Sequence, residues 1–571
     1  MEAFSYHVIQ GLKSRWMMVV ACFLILSFAG SNYIFGLYSQ TIKINMGYDQ
    51  EMIDTLAFFK DLGANVGIIA GLINEFCPPW VVLTMGSAMN LTGYLMIWLF
   101  VTGRVANPAV WHMYMYQCIG GSSMTFANTG TIVTCVKKFP RGRGLVIGLL
   151  KGFVGLSGAI ITQIYRAVGK DEQPSFLIIL DAILPTSVVL LLMPIIRPME
   201  APKEKNETKN FYIFLVMALV LAGLLMVFIL LENLLVLPQS VIQMFAVVTI
   251  LTIFLPLLIV IRSELQKSDN VVQGDQFKDA FSDQRKSKIE LESCWEDINS
   301  AFVEISIPVT EGKSAESSNE VLGADSEKQL KGKWPQRGED HTIVQALMSL
   351  DLWILFLATT CGLGSTITAI DNMGQIGKSL RYSSLSISTF VSLLSIWNFL
   401  GRVGAGFISE ILLHRYSIPR PFLLSLVLLV ASVGHLLVAS ALPGSLYMAS
   451  ILIGMCFGAQ WPLLFSIISE LFGLRHFAIL YNIGASASPL GAYLFSVRVA
   501  GYFYDRQAKL QMPGAASNDM MCVGKSCFEL TFFIMASVSI VGSAIAAVLV
   551  YRTRQFYKQD IYGKFNTQAV D

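Results

Sequence analysis

The chain has 571 residues, 54% hydrophobic and 14% charged, with a formal net charge of +2 at pH 7. Soluble domains carry about 25% charged residues, so the composition excludes a soluble globular protein and describes an all-α polytopic membrane protein. The small net charge leaves no nucleic-acid footprint, and no cysteine–histidine cluster has metal-ligand spacing. Cys22, Cys118, Cys135, Cys361 and Cys456 lie in apolar runs, where cysteine acts as a small hydrophobe.

Residues 1–15 form a short polar tail. The first apolar run is too long for the core of a cleaved signal peptide and is expected to act as a signal anchor. Fourteen apolar runs follow one another near 16–39, 53–74, 80–102, 110–134, 144–167, 175–196, 211–232, 239–261, 348–371, 385–408, 421–441, 446–470, 478–503 and 529–551. Each approaches the roughly 20 residues that a helix needs to cross a bilayer.

The second run ends on Gly71-Leu-Ile-Asn-Glu75, and the tenth ends 335 positions later on Gly406-Phe-Ile-Ser-Glu410. Phe139-Pro-Arg-Gly-Arg-Gly-Leu-Val-Ile-Gly148 is echoed by Phe472-Gly-Leu-Arg-His-Phe-Ala-Ile-Leu-Tyr481 at an offset of 333. Two loop signatures in register imply two homologous halves. Residues 16–196 and 342–551 are therefore six-helix bundles, and 197–261 an extra two-helix hairpin, giving a six-two-six order. Residues 262–341 read as a charged, disordered cytosolic linker, and 552–571 as a cytosolic tail.

Lysine and arginine set the orientation. With the N-terminus inside, the basic loops around Lys137, Lys138, Arg141, Arg143, Arg415, Arg420 and Arg475 are cytosolic, as are both termini and both repeated signatures. Plasma membrane is the default location, with endomembranes as the alternative. Cys522 and Cys527 then fall in the last non-cytosolic loop, where an oxidising compartment permits a disulfide.

The two Gly-x-x-x-Glu copies resemble the signature of the major facilitator superfamily. Further segments narrow the resemblance: Gly30-Ser-Asn32-Tyr33-Ile-Phe35-Gly36-Leu-Tyr38, Leu149-Leu-Lys151-Gly152-Phe-Val-Gly155-Leu-Ser157-Gly158, and Glu470-Leu-Phe472-Gly473-Leu-Arg-His476. Together they look like the plant nodulin-like, nuclear fusion defective 4-like branch, which is similar to the oxalate/formate exchanger family.

The resemblance implies a major facilitator fold of two pseudo-symmetric bundles. It implies a gate on the cytosolic side made by Gly71 and Glu75 with Arg402, Gly406, Glu410 and Arg415. The second copy is the fuller one, because Cys77-Pro78-Pro79 stands where the first should have basic residues. It also implies that spans one, two, four and five of each half line a central cavity.

Ionisable residues inside spans are functional candidates by their cost. Lys151 lies eight residues beyond Arg143, about 12 Å deeper along a helix. It is a candidate anion ligand; the alternatives are a structural acid partner or snorkelling to the surface. Asp61 shares a helix face with Asn65 and is read either as a coupling-proton carrier or as the partner of Lys60 or Lys151. Asn32, Gln117, Asn128, Asn398, Gln460 and Asn482 complete the candidate path. Gln117 holds the place where proton-coupled relatives have an arginine, which counts against the usual antiport relay. Motif position assigns Arg402 to the gate rather than to the substrate.

These readings converge on a secondary transporter of a small solute, an organic anion on the resemblance, working by alternating access. Proton coupling is the simplest scheme, with uniport and exchange open. The alternative is a transporter-like nutrient sensor signalling through its linker. No nucleophile–base pair suggests an enzyme, and no Gly-x-x-x-x-Gly-Lys-[Ser/Thr] loop suggests a pump. The expected partners are the substrate and the bilayer, for a monomer without cofactor or metal.

Overall fold

The computed structural model describes residues 14–30, 34–48, 50–106, 108–139, 142–168, 174–197, 207–235, 237–262, 335–511 and 522–558. Asn32 and residues 263–334 of the expected linker lie outside them. Every regular element among the described residues is helical, as lipid requires of a chain that must satisfy its backbone internally. Among the described residues, eleven helices are long and apolar enough to cross a membrane.

The remaining three of the fourteen runs are helical but interrupted. The first divides into Arg15–Phe28 and Phe35–Met46. The fourth, Val110–Asn128, passes through a π-helical segment, Thr129–Val133, into Thr134–Lys138. The thirteenth runs as Phe477–Ala485, Ala487–Gly491, a π-helical Ala492–Gly501 and Tyr502–Gln511.

The second span also breaks, between Gln50–Asn65 and Ile68–Phe76. A Cβ on Gly67 would lie 2.4 Å from Asn482 Oδ1, so only glycine allows the chain this close to the other half. The Thr125 hydroxyl donates to the carbonyls of Gly63 and Ala64 at 3.0 and 2.5 Å. That satisfies backbone oxygens beside the break, as burial demands.

One apolar core joins the two halves at the end that carries the repeated loops; it draws on Leu145 and Phe153 as well as Val403 and Phe477. At the opposite end each half has its own core, around Tyr38, Tyr94 and Leu177 in one and Met373, Phe390 and Phe532 in the other. The molecule is therefore closed at the loop-bearing end.

The closure rests on the crossing of the fifth span, Arg143–Val168, with the tenth, Ser384–Tyr416. A Cβ on Gly406 would stand 2.6 Å from the Gly144 carbonyl and 2.7 Å from Gly148 Cα. Small residues four apart permit such close helix packing in membranes. The extra hairpin, Glu207–Leu234 and Gln239–Phe254, packs on the fifth span and reaches the tenth, where Tyr212 meets Phe407 at 5.4 Å. Cys522 and Cys527 are joined by a disulfide at the far end, where the Gly524 amide donates to Ser379 O at 2.9 Å.

One boundary differs from the expectation of a linker running to 341. Residues 335–341 are ordered against the C-terminal bundle, with the Gly338 and His341 amides donating to Leu471 O and Phe472 O, both at 3.0 Å.

Gly406→Val should strain the crossing and lower the melting temperature in detergent by the equivalent of about 1–3 kcal/mol, the usual cost of overpacking. Gly404→Ala has nothing within 4 Å of the new Cβ and should leave the melting temperature equal or higher. Equal melting of Gly406→Val and the native protein would refute the crossing as the tight point.

Candidate substrate cavity and gate

The cavity lies between the halves, on the inner side of the crossing. It measures about 60 Å³, and its polar wall includes Asp61, Asn65, Thr125, Asn128, Lys151, Arg402, Tyr481, Asn482 and Ser488. Met124, Ile367, Phe457 and Trp461 add apolar surface.

Lys151 and Arg402 are its two cations. Lys151 is 5% exposed, and its ammonium lies 4.9 Å from the Phe465 ring centre, 5.2 Å from Tyr481 and 5.3 Å from Trp461. Those are cation–π distances. No carboxylate among the described residues pairs with it. Arg402 donates from Nη1 to the Lys151 carbonyl at 3.0 Å and from Nε to Asn398 Oδ1 at 2.9 Å. The carboxylate in the wall, Asp61, pairs with Lys60 at 3.1 Å.

Asn482 is anchored, donating to Thr129 Oγ1 at 3.0 Å and to Ala478 O at 2.8 Å. The Thr129 contact falls at the first residue of the π-helical segment, a departure often found at functional positions. Trp461 Nε1, Tyr481 Oη, Ser488 Oγ and Asn128 Oδ1 are buried without a hydrogen-bond partner among the described residues. Buried polar atoms are seldom left so, and these four belong to residues lining one small cavity.

Asp61, Asn65, Asn128, Lys151 and Asn482 are thus brought together, with Arg402. Asn398 reaches the cavity only through Arg402. Gln460 turns back into its helix, donating to Cys456 O at 3.1 Å, with its oxygen against Gly362. Gln117 is buried within the first bundle near Tyr38. Neither Gln117 nor Gln460 lines the cavity. Tyr481, Phe465 and Ser488 were not singled out from the sequence. Tyr481 ends one of the repeated loop signatures, so the repeat did carry a pointer to it.

At the closed end the acid of each repeat approaches the other half at the start of a helix. The Glu410 carboxylate accepts from the Gly144 amide at 3.2 Å, in the first turn of the fifth span. A helix N-terminus favours an anion there. Glu75 lies 2.7 Å from His476 Nδ1, the residue that precedes the helix Phe477–Ala485. Gly71 packs on the same helix, where a Cβ would meet Ala478 O at 2.8 Å.

The arginine beside Glu410 is Arg420 rather than Arg415, and His414 Nε2 lies 3.1 Å from the same carboxylate. Arg420 pairs with Glu410 and with Glu470, both at 2.6 Å, and Tyr557 donates to Glu470 at 2.9 Å. Arg415 is exposed over the Tyr416 ring. The helix ends at Tyr416, and the turn through Ser417, which has φ 51°, returns Arg420 to Glu410 while Arg415 points away. Arg402 is likewise placed with the cavity instead of beside Glu410.

Among the described residues every regular element is helical and eleven helices are long and apolar enough to cross a membrane, and with a cavity between two bundles this is the architecture of a membrane transporter of the major facilitator fold. A nodulin-like family model matches residues 15–261, and a model described as the NFD4 C-terminal domain matches residues 339–559. The chain is thus similar to the nodulin-like family in its first part and to the NFD4 C-terminal domain in its last, and its fold is that of the major facilitator superfamily.

It is 25% identical over 562 residues to Protein NUCLEAR FUSION DEFECTIVE 4 of Arabidopsis thaliana, covering 96% of this chain and 90% of that protein. It is 23% identical to "Probable transporter mch1" of Neurospora crassa, covering 76% of this chain and 69% of that one. Among solved structures it is similar in fold to the proton:xylose symporter XylE, with a TM-score of 0.53 at 10% identity over 94% of this chain and 95% of that one.

Glu410→Gln should destabilise the closed form by about 2 kcal/mol, the scale of hydrogen bonds to charged groups. Glu75→Gln, in a more exposed pair, should cost less than about 1 kcal/mol. Thermal unfolding in detergent reads both, and the reverse order would reject the inequality of the gates.

Proposed function

We propose that the chain carries a small organic anion across a bilayer by alternating access between its two bundles. The observation that carries this reading is Lys151 Nζ, held in the cavity wall against three aromatic rings with no carboxylate among the described residues paired to it. Arg402 adds a second cation, and Tyr481 Oη and Trp461 Nε1 add donors without protein partners. That set matches a carboxylate, which only accepts hydrogen bonds when ionised.

Asp61 and Lys60 form the candidate coupling pair, since a carboxylate at the cavity edge can exchange a proton for its lysine contact as the halves move. The first bundle with its hairpin moves as one body against the second, and the loop-bearing end faces the cytosol. The disulfide at the other end supports that orientation, because disulfides persist where the compartment is oxidising.

Uptake of labelled small mono- and dicarboxylates into proteoliposomes, with and without an imposed proton gradient, tests the proposal. Lys151→Ala should lower uptake about 30-fold or more, because removing one partner of a buried charge contact costs roughly 2–5 kcal/mol. Unlabelled carboxylates should compete and neutral sugars should not. Native-rate uptake in Lys151→Ala, or competition by sugars alone, would reject an anion site at Lys151.

A further inference from the structure

The residues that enter the C-terminal bundle at 336–341 lie over the loop that carries His476. Gly338 and His341 donate backbone hydrogens to Leu471 O and Phe472 O at 3.0 Å. One oxygen of Asp340 accepts from the Leu474 and Arg475 amides at 2.8 and 3.1 Å. Those amides immediately precede His476, which reaches across to Glu75 of the other half.

The loop needs this support. Gly473 has φ +79°, and a Cβ there would collide with Asp340 at 2.1 Å. The helix Ser445–Phe472 therefore ends on a glycine left uncovered by its own side chain and closed by Asp340 instead. The upstream end of the segment is pinned separately. Arg337 pairs with Asp351 at 2.7 Å and donates to Arg552 O at 2.7 Å, and Arg552 also pairs with Asp351. Those contacts fasten it to the first and last spans of the bundle.

We propose that residues 336–341 are a strap that holds the Glu75–His476 gate closed, so that the end of the tether between the halves sets the stability of one gate. The inference rests on the reading of Glu75 and His476 as a gate. The physical link is short: Asp340 fixes the two peptide groups before His476, and His476 needs a fixed backbone to stay within 2.7 Å of Glu75. The Glu410 gate has its own buried bracing through Arg420 and Glu470. Releasing the strap would leave the Arg420–Glu470 pair to hold Glu410, whereas His476 would lose the backbone support beside it. Tension or a binding partner on the tether would be felt at Glu75 before Glu410.

Hydrogen–deuterium exchange of the full chain in detergent tests this. Asp340→Ala and Arg337→Ala each release one end of the strap; Asp351 keeps Arg552 in the second variant. Both should speed exchange at 471–479 by about tenfold, the loss of roughly one charge-assisted hydrogen bond. They should also speed exchange at 71–77 in the other half and leave 402–410 unchanged.

His476→Ala is the control for the gate itself and should speed exchange at 71–77 with the strap intact. If it does so while the strap variants change only 471–479, the segment is a local brace and the proposal fails. If His476→Ala leaves 71–77 unchanged, the gate reading fails and the strap with it.

Discussion

The crossing of the fifth span on the tenth is the constraint on which the rest depends. Gly144 and Gly148 lie against Gly406, and Gly152 against Val403 and Phe399. Because the two backbones touch, the Glu410 carboxylate reaches the Gly144 amide at one level, and Arg402 reaches the Lys151 carbonyl at another. Lys151 is seven residues beyond Gly144, and Arg402 eight before Glu410. Both cations consequently sit about 11 Å from the gate at 1.5 Å per residue. Separation of the helices would break the gate contact and part the two cations in the same movement. On the proposed function, binding and gating would share one interface, and a ligand that held both basic side chains would favour the crossed state by its differential affinity.

The two repeats place their acids by one plan in settings of unequal burial. In each, a glycine brings a helix onto the other half, and an acid one turn further meets the start of a helix there. Glu410 gained Arg420, Glu470 and Tyr557 around it, with both members of the Arg420–Glu470 pair fully buried. Glu75 has His476 in a more open setting, with side chains 12% and 18% exposed. Buried pairs with additional hydrogen bonds resist disruption, whereas exposed ones contribute little. The prolines at 78 and 79 that displaced the basic arm also start the third span, since Pro79 opens the helix Pro79–Val101, a position where proline costs no hydrogen bond.

Much of this was legible because it is written in spacing. The 335-residue offset paired the gates, the apolar runs located the spans, and depth along a helix singled out Lys151. Phase was harder to read. Gln117 and Gln460 are polar and central in their spans, yet each turns away from the cavity, and a single-residue change of helical phase decides that. Arg402 lies within the motif, but its eight-residue distance from Glu410 already separates it from the gate. Arg420 and the residues 336–341 were hidden for another reason: each acts across a chain reversal or from the end of a charged segment, and neither leaves periodicity in the sequence.

The way Lys151 is held bears on how the cavity works. A lysine in a membrane interior ordinarily takes a carboxylate partner, and such a pair would have to be broken before an anion could bind. Here Asp61 is engaged with Lys60, and the ammonium is met by the faces of Phe465, Tyr481 and Trp461 instead. A cation–π contact is worth about 2 kcal/mol when desolvated, enough to direct the side chain toward the cavity. Coulomb attraction to an entering anion in the same low-dielectric space is stronger at contact distance. The aromatic wall therefore positions the charge and gives it up easily. With Arg402 beside it, Lys151 gives the proposed anion two basic side chains to meet in one cavity, which a neutral solute would not use.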